Sequence, residues 1–248
     1  MSTPPPEAAV QVRAVHKAFG AQRVLDGIDL EVAQGETLAI LGQSGTGKSV
    51  LLKLLIGLQQ ADAGSIRIHG TELVGIAMKP MQELRQRIGF VFQSAALYDS
   101  MTVAENVAFP LKRHARLSAA DCRTQVQQLL ASVGMEEALD KMPDQISGGM
   151  KKRVGLARAL ALSPDILLFD EPTTGLDPIT AAEIGELVLK LQRERKVASI
   201  IVTHDVQVAQ RVANRLALLR DGRIVITGSF ADLQNSHDAF VVKFLGSA

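Results

Sequence analysis

The run Gly42-Gln43-Ser44-Gly45-Thr46-Gly47-Lys48-Ser49 constrains this chain more than any other feature, because it matches G-x-x-x-x-G-K-[ST] at every fixed position. The five residues before it, TLAIL, form a compact apolar run that stops at Gly42, as a buried parallel strand does. The ten from Ser49 onward, SVLLKLLIGL, are apolar on nearly every face apart from Lys53, which suits a helix packed centrally on a sheet. Strand, glycine loop and helix in that order make the motif a phosphate-binding loop. Its glycines let the backbone wrap, so that successive N–H groups point inward as donors. A helix starting near Gly47 adds the positive end of its dipole. Lys48 is then placed to reach β- and γ-phosphates, and the Ser49 hydroxyl to bind Mg²⁺. The nucleotide stretch is expected to run from Gly42 to Val50.

A second signal is Ile166-Leu167-Leu168-Phe169-Asp170-Glu171, an apolar strand ending in two carboxylates. Such a strand presents its acids at the C-terminal edge, where α/β sheets bind ligands. Taken alone, an acid pair begins a loop as readily as it builds a site. Beside a phosphate loop the functional reading prevails. Asp170 is expected to hold Mg²⁺ through water, and Glu171 to act as general base toward the attacking water, a role worth roughly 10²–10⁴ in rate.

Further strands are expected at 10–15, 28–32, 65–69, 89–92, 198–202, 215–219 and 223–227. Between 94 and 162 helical periods dominate, as in 119–133, where Val126, Leu129, Leu130 and Val133 share one side. The fold class is therefore α/β: a doubly wound P-loop sheet with an antiparallel β edge and an inserted α-helical subdomain. Residues 10–93 and 163–235 make the core, and 94–162 the insert. Residues 1–9, with three prolines, are expected to be a disordered lead-in, and 236–248 a short helix or tail with Phe240, Val241 and Phe244 on one face. A net charge of +1 gives no global field to recruit nucleic acid or anionic lipid. The N-terminus lacks a signal-peptide pattern, and no apolar run approaches the roughly 20 residues that span a bilayer. Cys122, the only cysteine, cannot form an internal disulfide and reads as a small buried apolar residue in a reducing compartment. His16, His69, His114 and His237 show no metal-ligand spacing.

The stretch Asp144-Gln145-Ile146-Ser147-Gly148-Gly149-Met150 has the look of a helix start, with Ser147 as N-cap and a helix over 150–162. It offers an anion a hydroxyl, free N–H groups and a dipole. Lys151, Lys152 and Arg153 follow. In isolation, an ordinary capped helix with a solvated basic first turn is the simpler reading.

Together these motifs resemble the ATP-binding cassette (ABC) family across almost the full chain. In that family the helix start reads L-S-G-G-Q and faces the γ-phosphate held by the other subunit's loop, so a composite site needs two chains. Here Ser147, Gly148 and Gly149 match, whereas Met150 replaces Gln and cannot donate a strong hydrogen bond. The resemblance further implies that Phe19 stacks on adenine, that Gln93 senses Mg²⁺ and the attacking water, and that Gly175-Leu176-Asp177 crosses the dimer interface. It makes His204 the switch histidine at the γ-phosphate. An ATPase with ATP and Mg²⁺ as ligands, a second copy of itself and an integral membrane permease are what the family implies.

The segment 92–103 (FQSAALYDSMTV), then Glu105-Asn106-Val107, and S-G-G-M-K-K-R at 147–153 resemble the ATPases of MCE-type (mammalian cell entry) lipid transporters. That subfamily implies phospholipid traffic between envelope membranes, an MCE lipid-binding subunit and in some systems a STAS-domain protein. It implies a peripheral position on the cytoplasmic face of the inner membrane. Residues 95–110 are expected to receive a short permease helix, with Leu97, Tyr98, Met101 and Phe109 as apolar contact area, although Phe109 reads first as packing within the insert. Alternatives are the ATPase of an amino-acid importer or lipoprotein-release exporter, and an ABC clamp on DNA or ribosomes. A single cassette, one cysteine and no heptad run weigh against the clamp, so no nucleic-acid partner is expected. Ser-Gly-Gly and Glu171 weigh against a P-loop kinase.

Overall fold

Two kinds of apolar pattern in the chain produce two kinds of sheet. The computed structural model describes residues 8–246. It begins with β1 (Ala8–Phe19), β2 (Gln22–Ala33), β3 (Thr37–Leu41), α1 (Lys48–Leu55), β4 (Ala63–Ile68) and β5 (Thr71–Glu72). Next come α2 (Met78–Gln86), β6 (Ile88–Val91), α3 (Val103–His114), α4 (Ala119–Ser132) and α5 (Gly148–Ala159). The chain continues through β7 (Ile166–Asp170), α6 (Pro178–Arg195), β8 (Ala198–Thr203) and α7 (Val206–Val212). It ends with β9 (Arg215–Arg220), β10 (Arg223–Gly228), α8 (Phe230–Gln234) and α9 (Ala239–Gly246).

The unbroken apolar runs β3, β7 and β8 sit inside a six-stranded sheet of order β10-β9-β3-β8-β7-β6. Neighbours from β9 to β6 are parallel, and β10 pairs antiparallel with β9 at the border. Alternate residues of each strand enter different cores, as the period of two requires. Leu38, Ile40, Leu168 and Ile200 face the core shared with α1, whereas Leu167, Phe169 and Ile201 face the helical block. Ala39 and Leu41 face a third core under α7, α8 and α9. Burial on both sides is why these strands show no polar alternation.

The antiparallel part is larger than an edge. Strands β2, β1, β4 and β5 form a separate four-stranded sheet, packed over α1 through Val10, Val12, Ile28, Ile66 and their neighbours. Strand β1 also starts earlier than expected: Ala8 and Ala9 are buried, and Ala8 pairs with Ala33. The lead-in reading thus stops short of Ala8, and residues 1–7 lie outside the described residues. Strand β5, two residues long, left no signal in the sequence.

Between β6 and β7 lie only helices and turns. Thr102 and Glu105 form a reciprocal capping box at the start of α3, satisfying two otherwise orphaned donors. Fully buried Asn106 bonds the backbone of Tyr98 on both sides and the Met101 and Thr102 carbonyls, which pins the preceding turn. Cys122 is buried in this block. Helix α9 docks through Val241 and Phe244, and the Arg220 guanidinium lies over the Phe240 ring at 4.5 Å. Among the described residues no helix is long and apolar enough to cross a membrane.

Strand β6 and helix α5 approach closely at Gly89, where a methyl group would come within 2.6 Å of both the Ala159 carbonyl oxygen and Leu167 Cδ2. Gly89→Ala is therefore expected to cost about 2 kcal/mol and lower Tm by about 4–8 °C, measured by thermal melting. An unchanged Tm would show that α5 shifts freely against the sheet.

Candidate active site

Strands β3, β7 and β8 end at one edge because they are parallel and in register. Leu41 pairs with Thr203, and Asp170 with Val202. The residues that follow each strand, Gly42, Glu171 and His204, are thereby delivered to the same place. Gly47, at φ 102°, opens α1 with its Cα against the second sheet; a methyl there would lie 2.8 Å from Leu25 Cδ2 and 2.9 Å from the Val24 carbonyl oxygen. Only glycine fits both demands.

Buried Lys48 donates to the Gly42 carbonyl at 2.7 Å and the Gln43 carbonyl at 3.0 Å, and its Nζ stands 3.4 Å from Glu171 Oε1. The Ser49 hydroxyl donates to Asp170 Oδ1 at 2.8 Å. Glu171 is buried and left-handed at φ 48°, which turns it out of the line of β7. Its Oε2 accepts the Thr174 hydroxyl at 3.1 Å and lies 2.8 Å from His204 Nδ1. His204 is half exposed at the mouth. These groups converge on a cavity of about 450 Å³ lined by Phe19, Val24, Ser44, Gly45, Gly47, Lys48, Ser49, Val50, Gln93, Glu171, Thr174 and His204. Gly42, Gln43 and Thr46 shape the loop from behind: a methyl at Gly42 would strike the Leu219 carbonyl oxygen at 2.7 Å, and the Thr46 hydroxyl bonds the Gln43 carbonyl.

The donors present suit Mg²⁺. It prefers hard oxygens, keeps several waters, and takes one or two protein ligands plus phosphate. Ser49 and Asp170 supply such a pair side by side, with Gln93 in the same cavity. Phe19 is 46% exposed at the cavity, with the Lys17 ammonium 5.4 Å from its ring.

Ser147, Gly148, Gly149 and Met150 do not line this cavity. Ser147 caps α5, accepting from Met150 N at 3.3 Å, and with Gly148 it is exposed. Gly148 lies against Leu176, and Gly149 makes room for Thr180, whose Cγ2 would be 2.5 Å from a methyl there. The Met150 side chain packs against the helical core. Asp177 caps α6 through Ile179 N, Thr180 N and the Thr180 hydroxyl; these bonds, the hydroxyl's foremost, hold its carboxyl below the usual range. The tips of α5 and α6 thus form a surface separate from the cavity around the phosphate loop.

Three contributors escaped the sequence reading. Val24 and Thr174 line the cavity, and only the nearness of Thr174 to the acid pair hinted at it. Lys152 was expected in a solvated basic turn, yet it is buried and reaches the Gln93 carbonyl at 2.5 Å. Arg153 beside it is half-buried, donating to the Val133 carbonyl and to Glu183.

The family described as ABC transporter matches residues 25–174. The "Probable ribonucleotide transport ATP-binding protein mkl" of Mycobacterium leprae is 39% identical over 97% of this chain and 70% of that protein. The methionine import ATP-binding protein MetN of Nocardia farcinica is 42% identical over 91% of this chain and 68% of that one. A dimeric ATP-binding cassette in a post-hydrolysis state with ADP and Pi superposes at TM-score 0.82, with 32% identity over 89% of this chain and 98% of the other. The cbiO1 protein of Clostridium perfringens, part of the ABC transporter complex cbiONQ, gives TM-score 0.84 with 28% identity over 98% and 100%.

Loss of the Phe19 ring should remove base stacking worth about 1–3 kcal/mol and weaken nucleotide affinity about 5- to 150-fold. Titration of Phe19→Ala with a fluorescent ATP analogue measures this. Affinity within twofold of the parent would place the base elsewhere.

Proposed function

This chain belongs to the ABC transporter family as a Mg²⁺-dependent ATPase cassette, and from that premise we propose that two copies close face to face on two ATP molecules to drive a membrane permease. One observation carries the proposal: the cavity holding Lys48, Ser49 and Glu171 includes none of residues 147–150. The exposed Ser147 hydroxyl, the amides of Gly148 and Gly149 and the α5 dipole form an anion site outside the cavity of their own phosphate loop. A second chain, turned to face the first, brings that site to the γ-phosphate. Asp177, at the neighbouring helix start, lies in the same contact surface.

Within each half-site the roles follow from position. Lys48 takes phosphate oxygens in exchange for the two loop carbonyls it now holds, and Phe19 receives the adenine. Ser49 and Asp170, with Gln93, would hold Mg²⁺, which neutralises phosphate charge. Glu171, oriented by Thr174 and His204, accepts the proton of the attacking water. His204 adds a donor at the γ-phosphate, so positive groups surround the position where transition-state charge develops.

The helical block, residues 94–162, acts as a unit that carries the Ser147 tip and receives the permease. Beside it runs a groove of about 680 Å³ lined by Phe92, Tyr98, Phe109 and Pro110, with Arg85, Arg113, His114 and Arg158 and no carboxylate among its lining residues. The rings of Tyr98 and Phe109 lie 4.9 Å apart and make its apolar floor. Leu97 packs inward instead. The groove fits a short permease helix with apolar and acidic side chains, and on this reading the chain is a peripheral subunit on the cytoplasmic face of the inner membrane.

The cargo we infer is phospholipid moved between envelope membranes, with an MCE lipid-binding subunit and a STAS-domain protein in the assembly. Support comes from residues 92–107 and 147–153, including Met150. The relatives' names speak of ribonucleotide transport and methionine import, and the latter favours an amino-acid importer as the second reading. Affinity purification from membranes with mass spectrometry separates the two: a permease, an MCE protein and phospholipid are expected, whereas a methionine-type permease would overturn the lipid reading.

Glu171→Gln is expected to keep ATP binding, run as a dimer on gel filtration with Mg-ATP, and lose turnover by at least about 10²-fold. Hydrolysis at parental speed would refute the assigned base. Ser147→Arg should remove activity from homodimers while each chain still binds ATP; undiminished hydrolysis would show that sites are not shared.

A further inference from the structure

Lys152 is a buried charge that none of these roles uses. It lies on the second turn of α5, is 6% exposed, and donates from Nζ to the Gln93 carbonyl at 2.5 Å and the Glu171 carbonyl at 3.3 Å. Burial pushes its pKa below the ordinary lysine value, against the pull of the Glu171 and Asp170 carboxylates. Burying an ammonium is costly unless it is well partnered. A leucine or methionine would fill the same volume without that cost, so the charge needs a reason.

Its partners supply one. Gln93 follows β6 and Glu171 follows β7, and these strands are neighbours paired in register, Val91 opposite Phe169. Lys152 thus joins the ends of two sheet strands to a helix of the inserted block at one atom. The Glu171 carbonyl it bonds belongs to a residue at φ 48°, a backbone state that a non-glycine residue holds only when its surroundings impose it. The same face of α5 grips the chain beyond Gln93. Gly155 lets Ala95 approach, where a methyl would meet its Cβ at 3.2 Å. Arg158 donates to the Ala95 carbonyl at 2.7 Å and the Ala96 carbonyl at 2.8 Å, both residues being left-handed. Arg158 also lines the groove with Tyr98 and Phe109.

We propose that Lys152 is a positioning residue: it ties the helix carrying Ser147 to the backbones of Gln93 and Glu171, and so sets the Glu171 carboxylate where it can act on water. This rests on the reading of Glu171 as base. Lys152 touches no reacting atom; it acts through the two carbonyls. The tie also makes α5 a single rigid link between the groove, the Gln93 segment and the hydrolytic carboxylate. Displacement of the helix by a permease segment then reaches Glu171 directly.

Steady-state hydrolysis and fluorescent-ATP titration of Lys152→Met, Lys152→Arg and the parent, with Glu171→Gln in parallel, test this. Met keeps the stem and removes the donors. Its kcat should fall about 10- to 100-fold, as for a misplaced catalytic group, with ATP affinity within about twofold of the parent. Arg, which retains charge and donors, should recover at least about a third of parental kcat. A Met variant with parental kcat, a loss of affinity matching the loss of kcat, or an Arg variant no better than Met would each overturn the proposal. If the Met variant fails to fold, Lys152→Gln takes its place with the same outcomes. The Glu171→Gln control keeps the two ideas apart: rapid turnover there defeats the base assignment, whereas the Lys152 tie is judged on its own variants.

Discussion

A hydroxyl and an ammonium from the glycine loop meet two carboxylates at the end of β7, and the rest of the architecture holds those four groups in register. Ser49 and Asp170 are 121 positions apart, yet 2.8 Å separates their oxygens. The Lys48 and Glu171 side chains are both nearly buried at 3.4 Å. Charges held this way are not there for stability, since a buried ion pair seldom outdoes apolar packing. They are kept because a triphosphate and a divalent cation need such groups preorganised. The parallel sheet supplies the order: three neighbouring strands, buried on both faces, end together and leave their next residues nowhere else to go.

Positive charge meets the phosphate region from the loop and the helix behind it: Lys48 lines the cavity and the α1 start adds its dipole. The exposed Ser147 tip of α5 lies outside that cavity. On the proposed reading a complete electrostatic cage takes two chains, and hydrolysis is then conditional on closure, so that ATP is split only when the permease is engaged.

Much of this was legible in the residues. The loop, the acid pair, the Ser147 cap and the strand–helix alternation rest on local chemistry, and local chemistry survives the step from sequence to structure. What escaped depended on tertiary neighbours. Lys151, Lys152 and Arg153 look alike in sequence, and only packing of α5 on β6 and β7 decides that the middle one is buried. The antiparallel strands β1, β2 and β4 read correctly as strands, but their membership in a separate sheet is a long-range fact that periodicity does not encode. Met150 could be seen as a departure from Gln; its packing into the helical core could not. Asn106 gave no warning that it would hold the turn before α3, because a buried asparagine and an exposed one have the same neighbours in the chain.

The most direct measurement is a thiol cross-link across the closed dimer. Ser44 lines the phosphate cavity and Ser147 stands at the α5 tip, while the native Cys122 is buried. A chain carrying Ser44→Cys, Ser147→Cys and Glu171→Gln should form a covalent dimer on mild oxidation with Mg-ATP and remain monomeric on a non-reducing gel without nucleotide. Absence of the cross-link in ATP-saturated protein, or its formation regardless of nucleotide, would contradict a site built from two chains.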